Sequence, residues 1–79
     1  MSHTPHELVE EFPEQIDAIR KLKAENAHFT KIYDEYHVIN RSIHRSETNV
    51  EPTDDLTEQT MRKKRMALKD ELWEMIKAE

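Results

Sequence analysis

An all-α fold, a coiled-coil-like antiparallel two-helix hairpin preceded by a short helix, is what this sequence predicts, and three observations carry the prediction. Leu22, Phe29, Tyr36, Ile43 and Val50 recur every seven residues, with Ile32 and Ile39 three residues after Phe29 and Tyr36. That alternating spacing is the stripe of a helix packed lengthwise on another helix. The second observation is the absence of Gly, with three Pro as the strongest punctuation, so nothing reads as hairpin turns between strands. Third, apolar residues are 35% of the 79 and charged residues 37%, which suits helices with one apolar stripe better than a two-layer globule. A single domain over residues 1–79 holds all of this, at a size where one core is marginal.

The elements follow in order. Thr4 is a capping residue, Pro5 suits a first helical position, and Glu7 has the spacing of a capping box. A short helix over about residues 5–11 is expected, ending at Phe12 because Pro13 pushes the residue before it out of the α region. Pro13 then opens a long helix over about residues 13–47, with Glu14 and Asp17 near its N-terminal dipole. At about 1.5 Å per residue this helix is a rod of roughly 50 Å. Opposite charges four apart, such as Asp17 with Lys21 and Lys31 with Glu35, read as its solvated face. The loop spans about residues 48–53, where Pro52 forbids continuation, and Thr53 or Asp55 is available to cap the last helix, about residues 54–78. A loop this short sets the two long helices antiparallel.

The expected hairpin core is Leu22, Phe29, Ile32, Tyr36, Ile39 and Ile43 from the long helix with Leu68, Leu72 and Met75 from the last, widened by Trp73 and Ile76. A turn centred near residues 50–51 sets Phe29 against Leu72, Tyr36 against Arg65 and Asn40 against Met61. The long helix then overhangs its partner by about 13 Å. Phe12, Ile16 and Ile19 lie on or beside that overhang, with Leu8 on the arm before it. Either the Leu8-Val9 arm folds back over it or a second chain covers it, and the small size favours a homo-oligomer through these four residues. Asn26, Tyr33, Tyr36 and Asn40 are polar groups on or beside the stripe, read as structural: a buried Asn fixes register and a Tyr hydroxyl reaches the rim.

Chemistry is harder to find. With no Cys there is no disulfide or thiolate site, and with no Gly there is no phosphate-cradling loop. His37 and His44 are two helical turns apart, too far for one ion, and an ordinary half-exposed His accounts for each of the five. The acidic pairs Glu10-Glu11, Asp34-Glu35 and Asp54-Asp55 lack a concave apolar pocket to tune them. No catalytic residue, metal or cofactor is expected, and the chain is not expected to be an enzyme. The opening Met1-Ser2-His3-Thr4-Pro5 has neither a basic start nor an apolar run, so a cytoplasmic location without membrane contact is the expectation.

One basic cluster remains. Arg62, Lys63, Lys64 and Arg65, joined across the hairpin by Arg41 and Arg45, form an anionic-partner surface for the alternative reading, a small RNA-binding or regulatory protein. A net charge of −5 and the lack of an aromatic within the cluster weigh against it. The preferred expectation is a protein–protein interaction or oligomerisation module with an unidentified protein partner.

The opening HTPHELVEEFPEQ, the middle YDEYHVINRSIHRSE, the loop NVEPTDD and the ending MRKKRMALKDELWEMI together resemble the YdcH-like family of small bacterial proteins. The Tyr36–Glu47 block and the stretch from Arg65 through Leu68 to Glu71 are its most diagnostic parts. The resemblance implies a cytoplasmic helical hairpin of about this length, in a family without an established activity, and brings no catalytic motif to this chain.

Overall fold

The structure is a computed structural model and describes residues 6–48 and 54–79. Among these the chain is wholly helical: α1 (Leu8–Glu11), a 3₁₀ turn (Pro13–Gln15), α2 (Ile16–Glu25), α3 (Ala27–Glu47) and α4 (Asp55–Lys77). The expected caps at Thr4 and Pro5 and the Val50 and Pro52 positions of the loop lie outside the described residues. No helix among the described residues is long and apolar enough to cross a membrane.

The single long helix expected over 13–47 is not what forms. Asn26 is extended, at φ −127° and ψ 103°, and divides it into α2 and α3. Its side-chain Oδ1 accepts the Phe29 N–H at 3.0 Å, capping α3, while its own N–H donates to the Leu22 carbonyl at 2.8 Å and closes α2. The Thr30 hydroxyl donates to the Lys23 carbonyl at 3.1 Å, supplying a partner at the C-terminal end of α2. The Lys23 ammonium lies 4.3 Å from the Tyr33 ring centre and ties the two sides of the break. These groups find partners on the other side of the break, which is what allows a helix to stop in mid-stripe. The molecule measures 38 × 27 × 19 Å, shorter than the rod the sequence predicted.

The second correction concerns the α4 cap. Asp54, not Thr53 or Asp55, is the N-cap, and its Oδ1 accepts the Thr57 N–H at 3.1 Å. The Thr57 side chain first, and its backbone N–H second, hold the Asp54 carboxyl below its ordinary value by hydrogen bonding.

α3 and α4 pack together, and α2 packs on both. The core consists of Leu8, Ile19, Leu22, Phe29, Ile32, Tyr36, Leu68, Leu72 and Ile76, with Ile43 also buried. Ile39 and Met75 are only half-buried. On α4 the buried residues fall every four positions, Leu68, Leu72 and Ile76, so Ile76 takes the place the heptad spacing gave to Met75. Contacts between the two helices move back along α3 as they move forward along α4. Arg62 meets Glu47 at 2.9 Å, Arg65 meets Asn40 at 3.0 Å, and Glu71 lies 3.6 Å from His28. The expected partner of Arg65 was Tyr36; the contact falls one turn nearer the loop.

Candidate functional site

The four residues expected to meet another chain are placed differently from one another. Leu8 is fully buried and Ile19 is 1% exposed, both inside the chain's own core. Phe12 stacks on Trp73 with ring centres 5.0 Å apart and planes 13° apart, and Ile16 is half-buried. The break at Asn26 explains this. It turns α2 back onto α3 and α4, so the stretch that would have overhung is covered from within.

Polar contacts then fasten the arm formed by His6–Glu11. The Tyr36 hydroxyl donates to the His6 carbonyl at 2.5 Å. His6 takes a left-handed conformation, φ 63°, which costs a residue with a Cβ about 1 kcal/mol. Lys69 reaches Glu11 at 2.9 Å and lies 5.6 Å from the Phe12 ring centre. That ammonium, as hydrogen-bond donor first and as charge second, holds the Glu11 carboxyl below its ordinary value. Burial pushes the Tyr36 hydroxyl up to about 12.

His37 departs from expectation, being buried rather than half-exposed. Its Nδ1 donates to the Tyr33 carbonyl at 2.9 Å, which leaves Nε2 to meet the arm. There the Glu7 Oε2 lies at 2.6 Å and the Leu8 N–H at 3.3 Å. One nitrogen cannot donate to the first and accept from the second. The shorter approach, to a carboxylate oxygen, requires a proton between the two atoms. Asn40, also buried, gives its side-chain oxygen to Arg65. No buried side-chain nitrogen or oxygen among the described residues lacks a partner. Tyr36 and Asn40 are thus held by hydrogen bonds within the chain, whereas Asn26, expected to fix register, caps α3 instead.

Two hollows open on the surface. The first, of about 490 Å³, is lined by His6, Glu11 and Tyr36 on one side and by Arg62, Arg65 and Lys69 of α4 on the other. Its cations already have partners. Arg62 holds Glu47 and Glu58, Lys69 holds Glu11, and Arg65 holds Asn40. The structure therefore divides the basic cluster seen in sequence. Arg62 and Arg65 turn to this cleft, Lys64 lines the second hollow, and Lys63 is exposed. Arg41 lies 3.6 Å from Glu7, and Arg45 donates to the Ser42 hydroxyl at 3.2 Å.

The second hollow, a groove of about 400 Å³ along the α3–α4 seam, has a different character. Val38, Ile39 and Met61 supply apolar surface, with Asp34 and Glu35 on the α3 rim and Lys64 on the α4 rim. Val38 is 66% exposed. Asp34, Glu35 and Lys64 have no ion-pair partner among the described residues. Sequence periodicity missed this face because it assigned Ile39 to the seam and Val38 to nothing. The signal was there in the adjacent apolar pair, since neighbours on a helix point about 100° apart and one packed helix cannot cover both. Among the described residues no cluster of three or more His, Cys, Asp or Glu is placed to hold a metal ion.

No curated protein and no solved structure matches the chain. A family does. The family described as "Protein of unknown function (DUF465)" matches residues 29–76, a segment that opens on core Phe29, closes on core Ile76, and contains both helices of the groove. The arm and α2 precede it. This chain belongs to the DUF465 family, which includes the YdcH-like proteins its sequence resembles.

Proposed function

We propose that the chain works in the cytoplasm as a non-catalytic protein-binding module, an antiparallel helical hairpin that presents its α3–α4 groove to a protein partner. The observation that carries this reading is the groove itself. Val38 is an exposed apolar residue between charged rims, and those charges have no ion-pair partner among the described residues. Apolar surface bordered by polar groups is the usual mark of a protein-binding face.

The other cleft supports the same reading by its chemistry. Glu11 is pushed down and Tyr36 is pushed up, so both move away from neutrality, where an acid or base works best. Arg62 and Lys69 already have carboxylate partners, and a nucleic-acid phosphate has to compete with these for each contact.

A photo-crosslinking residue at position 38 tests the proposal, with position 56 as control because Leu56 is 72% exposed and does not line the groove. Crosslinks to protein from 38 and not from 56 are expected. Crosslinks to RNA, or equal yields from both positions, overturn it.

A further inference from the structure

We propose that the occupant of the α3–α4 groove is a second copy of this chain, docked about a two-fold axis that runs along the groove. This deepens the protein-binding reading and rests on it. The argument is one of complementarity. The groove is asymmetric across its width, with acids Asp34 and Glu35 on the α3 rim and Lys64 on the α4 rim. A two-fold axis along such a groove sets the α3 rim of each copy against the α4 rim of the other, so the asymmetry becomes self-complementary. Glu35 and Lys64 line the same hollow, and the Arg65–Asn40 contact sets Lys64 near the level of Arg41, about 9 Å along the helix from Glu35, an offset that the lysine and glutamate side chains span together.

Three further observations fit a second copy. These rim charges have no ion-pair partner among the described residues, so an incoming copy breaks no ion pair. The apolar floor of Val38, Ile39 and Met61 meets its own image across the axis, placing exposed Val38 near the centre. Finally, the polar side chains at the far end are already engaged. Ser42 donates to the Val38 carbonyl at 3.0 Å and accepts from Arg45. The proposed interface is therefore an apolar centre between two reciprocal acid–lysine contacts, the arrangement that gives a homodimer its orientation as well as its affinity.

Charge reversal tests this without touching the core. The variants Glu35→Lys and Lys64→Glu each place like charges across the interface, and each is expected to weaken self-association at least tenfold by sedimentation equilibrium. Their combination restores opposite charges and is expected to recover most of the affinity. Val38→Glu is expected to give a monomer. Both 35 and 64 are exposed, so circular dichroism and thermal melting should match the parent and exclude unfolding as the cause. A parent chain monomeric at about 100 μM, or single reversals that leave the dimer intact, overturns the inference. The position-38 crosslinker separates this failure from that of the underlying reading. Crosslinks to a different protein sink the second copy and leave the binding module standing, whereas no protein crosslink sinks both.

Discussion

Tyr36 joins the core to the arm at a single atom. Its ring is fully buried, and its hydroxyl donates to the His6 carbonyl. Removing the hydroxyl in Tyr36→Phe takes away one hydrogen bond and leaves the carbonyl without that donor, a loss of about 1 kcal/mol. In a domain this small that lowers the melting temperature by about 4–8 °C. The pH dependence has a definite sign. Tyr36 has a folded-state value near 12 against an ordinary 10.0, so its contribution is complete below pH 10 and is lost as pH rises from there through 12. The unfolded chain gives up its proton first, at a cost to the fold of up to about 2 kcal/mol. Denaturant melts of the parent and Tyr36→Phe, compared at pH 8 and pH 11.5, should show the parent losing more stability than the variant; parallel losses contradict the account. Glu11 works in the opposite direction. Its carboxyl is held below the ordinary 4.5 by Lys69, so its contribution is present above pH 4.5 and is lost as pH falls through the lower folded value.

At the scale of elements, Asn26 decides the architecture. Its side-chain cap and extended backbone make two helices where the heptad pattern reads one. Asn26→Ala removes the cap and offers a strong helix former in its place, which is expected to cost about 1 kcal/mol. It should also raise hydrogen exchange at Phe29, whose N–H loses its acceptor. Unchanged stability and exchange would show that the cap is not what sets the break.

The same residue shows how far the sequence is readable. Helical class, the α3–α4 contact and the buried seam Leu22, Phe29, Ile32, Tyr36, Ile43, Leu68 and Leu72 follow from periodicity, because each obeys a local repeat. The break does not, since Leu22 and Phe29 keep their seven-residue spacing across it. Asn26 was noticed as a polar residue near the stripe and assigned to register. Its rank as a capping residue, with Thr30 placed to cap the Lys23 carbonyl, was the overlooked signal. His37 escaped for another reason. Its burial depends on an arm that arrives 29 residues earlier in sequence, and no local pattern encodes that arrival.

For the whole molecule, closing the arm is what brings a 79-residue chain near a workable core. Leu8 is fully buried at the start of the arm, and Phe12 is stacked on Trp73 at its end. Leu8→Ala should cost about 2–4 kcal/mol and speed hydrogen exchange in α1 more than in α3. An equal increase throughout would mean that the arm and the α3–α4 pair unfold as one unit. Because the arm covers Ile19 and its neighbours from within, the exposed apolar groove lies at Val38 on α3, not at the Phe12–Ile19 stretch where periodicity placed it.

That division between a self-closed arm and an open groove is tested most directly by one isotope-filtered NOE experiment on a mixture of labelled and unlabelled chains. Contacts between the rings of Phe12 and Trp73 should be strong in the uniformly labelled protein and absent from the spectrum filtered for contacts between chains, where Val38, Ile39 and Met61 should appear instead. Phe12–Trp73 contacts in the filtered spectrum would mean that the arm is exchanged between chains, and would contradict the account.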